Sequence, residues 1–120
     1  TQWLADCIRG QGLATVEGAI AHMTDVPARF FGLVERGRLT EGWHADVVVF
    51  DPETVGAGEF LLKHDLPGNS PRLYADAFGI ERVYVNGTCT IVDGQPAGGL
   101  PGVVLRSGTD TETVRIPADH

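Results

Sequence analysis

The stretch of residues 37–52 constrains the fold of this chain more than any other feature of the sequence. It begins with a two-glycine turn, continues into an unbroken apolar run, and stops at an aspartate followed by a proline. Because β-branched residues dominate the run, Val47–Phe50 is predicted as a strand buried on both faces. The residues predicted to have structural roles in this stretch and in a later hairpin are Gly37, Gly42, Asp46, Asp51, Asn86 and Gly87.

Two aspartates flank this predicted strand and could in principle serve acid–base catalysis. Asp46 can accept hydrogen bonds from backbone amides where the strand begins, and Asp51 with Pro52 fits an Asx-type turn that ends it. We therefore favour a structural role over a catalytic role for both carboxylates.

The sequence before residue 36 predicts short helices. Apolar residues at i, i+3, i+4 and i+7 indicate a helix over Thr15–Met23, with Thr15 as its N-cap. A preceding helix is predicted to end at Gly10, and a third to run from Thr24 or Asp25 to Gly32.

After residue 36 the pattern changes to that of short strands and turns. Asn86 and Gly87 can both adopt positive φ, so Ile80–Val85 and Thr88–Val92 are predicted as a hairpin joined by a type I′ turn. The other predicted elements are a loop at residues 53–71, one helical turn at residues 74–78, a strand at Val103–Leu105 and an edge strand or frayed end from residue 107. These strands are too few for a self-contained sheet, and the first residue is Thr rather than Met, so we expect the chain to be part of a longer protein.

The composition disfavours nucleic acids and membranes as partners of this chain. A formal net charge of -7 on 120 residues disfavours nucleic acids and anionic membrane surfaces. No apolar stretch approaches the ~20 residues that span a bilayer. The two cysteines, Cys7 and Cys89, are predicted to be buried free thiols, which favours a reducing, cytoplasmic location.

The histidines lack the spacing of a metal site. Metal ligand sets need clustered donors, whereas these side chains are isolated along the sequence. His64 followed by Asp65 could form an oriented base, but no nucleophile lies nearby, so a loop hydrogen bond is favoured. We therefore predict no catalytic, substrate-binding or metal-ligating residue in this chain. The four histidines are His22, His44, His64 and His120.

Several linked motifs resemble one enzyme family. The pattern Gly-x-Leu-x-x-Gly-x-x-Ala-Asp-Val-Val-Val-Phe-Asp at residues 37–51 resembles the segment that follows the catalytic barrel in the amidohydrolase superfamily. Residues 23–33 resemble the Thr-x-x-Pro-Ala-x-x-x-Gly-Leu helix of these enzymes, and residues 83–94 resemble their final hairpin. Residues 101–106 are similar to the Pro-Gly-x-Val-Leu-Arg ending of the N-acyl-D-amino-acid deacylase (D-aminoacylase) branch, with Val103 where an arginine is usual.

The resemblance implies an α+β unit in two parts. Residues 1–35 would be closing helices of a TIM-type (β/α)₈ barrel. Residues 36–120 would be the C-terminal part of a small, incomplete β-sandwich, completed by strands from the N-terminus of the parent enzyme.

The resemblance also implies a chemistry located elsewhere. The parent would be a zinc-dependent amidohydrolase acting on N-acyl-D-amino acids, in which zinc activates water and an aspartate transfers the proton. The zinc ligands and that aspartate precede the matched region, so this chain alone is expected to be inactive. The implied partners are the rest of the barrel, the N-terminal sandwich strands and a small N-acyl amino acid, without nucleic acid or membrane; a homo-oligomer is left open.

Two alternatives remain at this stage. The parent could belong to another amidohydrolase branch, such as a dihydroorotase-like, hydantoinase-like or deaminase-like enzyme. The chain could instead be a non-catalytic β-rich interaction module, which would require a complete sheet. Part of a larger enzyme would instead show an open sheet edge and exposed apolar helix faces.

Overall fold

The computed structural model describes residues 1–114 and shows short helices followed by antiparallel strands, which confirms the predicted α+β class. The helices are α1 at Gln2–Ala5, which continues into a π-helical turn at Asp6–Gly10, α2 at Val16–Met23 and α3 at Asp25–Phe30. The strands are β1 at Val47–Phe50, β2 at Gly56–Ala57, β3 at Leu61–Leu66, β4 at Ser70–Tyr74, β5 at Ala77–Phe78, β6 at Ile80–Val85, β7 at Thr88–Val92 and β8 at Gln95–Pro96.

The predicted start of the second helix is confirmed. Thr15 is extended, and its Oγ1 accepts a hydrogen bond from the backbone N–H of Gly18 at 3.2 Å. This bond satisfies one of the N–H groups that the first turn leaves without a partner. Among the residues described, no helix is long and apolar enough to cross a membrane.

The main sheet has the strand order β1-β6-β7-β8 and is antiparallel throughout. The predicted hairpin forms its centre: Asn86 and Gly87 connect β6 to β7 with φ values of 47° and 77°. Both positive φ values are what a type I′ turn requires, so this prediction is confirmed. Two further pairs, β2 with β5 and β3 with β4, lie outside this sheet.

The predicted double-sided burial of β1 is wrong for this chain. Within residues 1–114, β1 pairs with β6 alone, so its other edge has no strand beside it. Val48 and Val49 keep 50% and 39% of their surface exposed. The apolar run forms a strand where predicted, but residues 1–114 leave Val48 and Val49 exposed.

Three predictions after residue 52 are also wrong. Residues 53–71 are not a loop, because β2, β3 and the start of β4 lie within them. Residues 74–78 are extended rather than helical, since β5 pairs with β2. Val103–Leu105 is irregular and pairs with no strand of the described residues. Within residues 53–71 the glycines and prolines mark turns between short strands, and β2 pairs with β5 about 20 residues further along the chain.

The segment after residue 107 returns to the helical part. Leu33 and Thr111 form an antiparallel bridge, and the backbone N–H of Glu112 donates to the carbonyl oxygen of Gly32 at 2.7 Å. The predicted edge strand is therefore a single bridge as far as residue 114. The rest of that segment lies outside the described residues.

A small core joins the helices to the strand region. Leu4, Cys7, Ala19 and Val55 form one buried cluster, and Val55 is fully buried. Phe50 and Ile80 from β1 and β6 lie against the same cluster. The buried cluster therefore lies where the helices meet the strand region.

A single arginine reinforces this junction. The guanidinium of Arg9 donates hydrogen bonds to the carbonyl oxygens of Pro52 and Val55. These carbonyls belong to the segment between β1 and β2. The side chain thus fastens the end of the first helix to the segment that carries the buried valine.

The two glycines of the 37–42 turn face different surroundings. Gly37 has φ +86°, and a Cβ built there would lie 2.6 Å from Ala28 Cβ and 2.8 Å from the Thr24 carbonyl oxygen. Gly42 has a nearly identical φ of +85°, with nothing within 4 Å of such a Cβ. Both positions favour glycine for its backbone, but only Gly37 packs against α3 and the residue that precedes it.

We expect Gly37→Ala to lower the free energy of unfolding by roughly 2–4 kcal/mol and Gly42→Ala by about 1 kcal/mol. The left-handed backbone costs about 1 kcal/mol in both variants, and the clash adds the remainder at position 37 only. Urea denaturation of the protein containing this chain measures both values. Equal losses would contradict the close approach at Gly37.

Candidate functional site

Asp46 lies at the centre of a polar cluster where β1 begins. Its Oδ1 accepts a hydrogen bond from the backbone N–H of Asn86 at 2.9 Å, and its Oδ2 forms an ion pair with Arg36. We call this group the strand-start cluster, and it comprises Arg36, His44, Asp46, Asn86 and Gly87. Both carboxylate oxygens of Asp46 therefore serve structural contacts.

Asn86 connects the strand-start cluster to two other parts of the chain. Its Nδ2 donates to the carbonyl oxygen of Pro101 at 2.7 Å, and its Oδ1 lies 3.3 Å from Nδ1 of His44. The next residue, Gly87, donates its backbone N–H to the carbonyl oxygen of Ala45 at 2.9 Å. The hairpin turn is thus held against the start of β1 and against the segment near residue 101.

Asp51 ends β1 with an Asx-type turn. Its Oδ1 accepts from the backbone N–H of Glu53 at 2.9 Å, and its Oδ2 accepts from the Thr54 hydroxyl at 2.9 Å. Asp46 and Asp51 lie at opposite ends of the strand, roughly 17 Å apart along an extended chain of this length. They cannot act on one substrate bond as an acid–base pair.

The histidines do not converge. His22 is exposed on α2, as predicted, His44 contacts Asn86, and His64 has its Nδ1 3.2 Å from the carbonyl oxygen of Asn69. His120 lies outside the described residues. In the described part of the chain no three His, Cys, Asp or Glu side chains are close enough to hold a metal ion, so the residues present do not fit a zinc site.

The cysteines also lie apart from any such cluster. Both are free thiols; Cys7 is buried, as predicted, whereas Cys89 is only partly buried. The Sγ of Cys89 lies 3.3 Å from the carbonyl oxygen of Ile91, which accepts its weak hydrogen bond.

An open groove of about 590 Å³ lies against the end of the main sheet. Its walls are apolar side chains, glycine backbone and Thr90, and no titratable side chain among the described residues lines it. The Thr90 hydroxyl donates to the carbonyl oxygen of Val83, so the groove can pack against another apolar surface but offers no acid or base. The lining residues that carry apolar side chains are Val85, Ile91, Pro96, Leu100 and Pro101.

Asp25 forms an ion-pair group that the sequence analysis did not identify. Two nitrogens of Arg38 contact its two carboxylate oxygens at 2.6 and 3.0 Å, and Arg29 contacts it at 3.0 Å. The hydrogen bond from Arg38, followed by the charges of both arginines, holds the pKa of Asp25 below its ordinary value of 3.8. The group ties α3 to the turn that follows Gly37.

The structure brings three of the six singled-out residues together at the start of β1. Asp46, Asn86 and Gly87 lie together, and Asp51 lies at the other end of the strand; Gly37 and Gly42 lie in the preceding turn. The structural role assigned to these six stays a prediction. The partner contacts of Arg36, Arg9 and Arg38 were missed; only the i, i+4 spacing of Asp25 and Arg29 could have indicated an ion pair.

Known proteins match this chain over most of its length. The sequence pattern of the amidohydrolase family matches residues 1–97. An N-acyl-D-glutamate deacylase of Alcaligenes xylosoxydans xylosoxydans is 44% identical over 106 residues, which cover 88% of this chain and 20% of that protein. A dihydroorotase of Clostridium acetobutylicum is 37% identical over 86 residues, which cover 68% of this chain and 19% of that protein.

Solved structures agree with these sequence matches. A crystal structure of D-aminoacylase, described as defining a novel subset of amidohydrolases, superposes with a TM-score of 0.61 at 36% identity, covering 80% of this chain and 18% of that chain. A D-aminoacylase structure concerned with the role of its binuclear metal centre gives a TM-score of 0.62 at 38% identity, with the same coverage of both chains. The chain spans about one fifth of the length of the curated relatives it matches.

We expect Asp46→Ala to lower the free energy of unfolding by roughly 1–3 kcal/mol, because it removes the acceptor for Asn86 N–H and the partner of Arg36. Asp46→Asn should lose less, since an amide oxygen can still accept from Asn86. Urea denaturation measures both. Glu41→Ala, an exposed carboxylate in the preceding turn, is the matched control, and equal effects at positions 41 and 46 would refute the role of the strand-start cluster.

The ion pairs of Asp25 should give a specific pH dependence. Its pKa is lowered in the folded state, so the stabilisation is present above the ordinary value and is lost as pH falls through the lower, folded value. The stability advantage of the wild type over Asp25→Asn should therefore be constant from about pH 5 to 7 and shrink below about pH 4. Urea denaturation across this pH range measures it. In an Arg38→Met background the advantage should be smaller; an unchanged advantage would contradict the assignment.

Proposed function

The chain belongs to the amidohydrolase family, and from this membership we propose that it is part of a metal-dependent enzyme that hydrolyses the amide bond of N-acyl-D-amino acids. The observation that carries the proposal is the match to an N-acyl-D-glutamate deacylase over most of the chain. Relatives named N-acyl-D-aspartate deacylase and D-aminoacylase support the same branch. The substrate would be a small N-acyl amino acid.

In this proposal the chain contributes structural elements of the enzyme rather than its catalytic residues. Residues 1–35 are the closing helices of a TIM-type barrel, and residues 36–120 are the C-terminal part of a small β-sandwich. The exposed faces of the helices support the first assignment. Trp3, Phe30 and Phe31 are all large and exposed, and surfaces of this kind are expected where helices pack against the rest of a barrel.

The free edge of β1 supports the second assignment. Val48 and Val49 present apolar side chains, and the outer backbone edge of their strand has no partner in the part of the chain that the structure describes. Exposed edges of this kind promote aggregation unless another strand pairs with them. We propose that strands from the N-terminal part of the same enzyme pair here and complete the sandwich.

The proposed cofactor is zinc, held by residues outside those described. The described side chains form no ligand set, so no catalytic step is assigned to any of them. The free thiols of Cys7 and Cys89 support a reducing, cytoplasmic compartment for the enzyme. A homo-oligomer is compatible with the exposed apolar surface, although the rest of the enzyme would cover much of it.

The second candidate is a dihydroorotase-like hydrolase, which acts on a cyclic amide. The match to a dihydroorotase favours it specifically, although that match covers less of this chain than the deacylase match. A non-catalytic interaction module receives less support, because it would require a complete sheet, whereas within residues 1–114 β1 has a strand on one side only.

We expect the full-length protein to release free D-amino acid from N-acetyl-D-glutamate or a related N-acyl-D-amino acid, and to leave the L-enantiomer intact. Incubation with a chelator should abolish the activity, and zinc should restore it. The 120-residue chain alone should show neither hydrolysis nor stoichiometric zinc binding by calorimetry. Hydrolysis of a cyclic amide by the full-length protein, without deacylation, would favour the second candidate instead.

A further inference from the structure

The β3–β4 hairpin has two chemically different faces. Leu62 lies opposite Leu73, and in the adjacent position Lys63 lies opposite Arg72. Because side chains alternate along a strand, these two pairs lie on opposite faces of the ribbon. One face is therefore apolar at its centre, and the other is charged.

The charged face forms its own contacts. The Lys63 ammonium lies 3.2 Å from the centre of the Tyr74 ring, and the Arg72 guanidinium carbon lies 5.1 Å from it. Arg72 also donates two hydrogen bonds to the two carboxylate oxygens of Asp65, at 2.6 and 2.7 Å. The cations of this face are matched by an aromatic ring and a carboxylate, so it needs no further partner.

The apolar face is left bare. Leu62 and Leu73 keep 62% and 72% of their surface exposed. Apart from the contact between β3 and β4 and that with the turn that joins them, this hairpin makes only weak contacts with the helices and strands of residues 1–114. A two-stranded hairpin is marginally stable in water unless a third element packs on it. The surroundings that stabilise this ribbon must therefore lie against Leu62 and Leu73.

The small area of this face indicates what covers it. With six residues in β3 and five in β4, the ribbon measures roughly 20 by 10 Å, or about 200 Å². A stable interface between separate molecules needs about 800 Å² on each partner. A second copy or an independent protein would not be held by this face alone, whereas a surface of the same polypeptide is held without the cost of bringing two molecules together.

We propose that the Leu62/Leu73 face docks onto an apolar surface in the part of its own enzyme that lies outside these 120 residues. The inference rests on the proposed function in one respect, that the chain belongs to a longer amidohydrolase. Relatives about five times as long as the matched segment leave ample polypeptide for such a surface. The hairpin then holds this chain against the rest of the enzyme.

Amide hydrogen exchange in the full-length protein tests the proposal. We expect slow exchange across residues 61–74, unchanged over a wide range of protein concentration. In Leu62→Ser this exchange should accelerate by about tenfold, the effect of one lost leucine burial. Leu61→Ser is the matched control: it changes the same residue type in the same strand but on the charged face, where Leu61 is 48% exposed.

Within the hairpin alone, Leu61 is more covered than Leu62, so exchange that accelerates equally in both variants, or more in Leu61→Ser, would overturn the proposal. Fast exchange of residues 61–74 in the wild type would do the same. Protection that appears only at concentrations where light scattering shows a dimer would identify a second copy as the occupant and also overturn it. Deacylase activity is assayed separately, so loss of the proposed function leaves the exchange result interpretable.

Discussion

The fold depends on the burial of Val55 between the helices and the sheet. Val55 contributes the only fully buried large side chain among the described residues, and it lies against Leu4, Cys7 and Ala19 from the helical part. Arg9 closes this junction by donating to the carbonyl oxygens on either side of the segment. Burial of a valine contributes roughly 1.5–3 kcal/mol. Because so few residues are buried, loss of this one side chain would remove much of the packing between the two halves of the chain.

The core of this chain is small, whereas its exposed apolar surface is large. Aromatic side chains at the end of α3, the outer edge of β1 and one face of the β3–β4 hairpin are all uncovered. Polar groups, by comparison, are well matched: in residues 1–114, no buried side-chain nitrogen or oxygen lacks a hydrogen bond. The chain satisfies its polar groups internally and leaves its apolar surfaces for contact elsewhere.

Local signals predicted the elements that local chemistry determines. The Thr15 N-cap, the span of β1 and the Asn86-Gly87 turn were all identified, because a cap, an apolar run and a two-residue turn are encoded in neighbouring residues. The β3–β4 hairpin was missed because its turn is a Pro-Gly-Asn sequence and its strands are only partly apolar. Among the site residues, Asp46 was recognised, but its partner Arg36 was not, because the two lie ten positions apart in sequence with an irregular turn between them.

The bridge between Leu33 and Thr111 has a consequence for how segments could be exchanged between proteins of this family. It places the two ends of the strand-bearing segment beside each other, so everything between residues 35 and 109 leaves and rejoins the helical part at one point. Segments whose ends meet in this way are the ones that tolerate exchange between proteins. The strand region is therefore suited to exchange between members of the amidohydrolase family, provided that Arg9, which lies outside this segment, is transferred together with Val55.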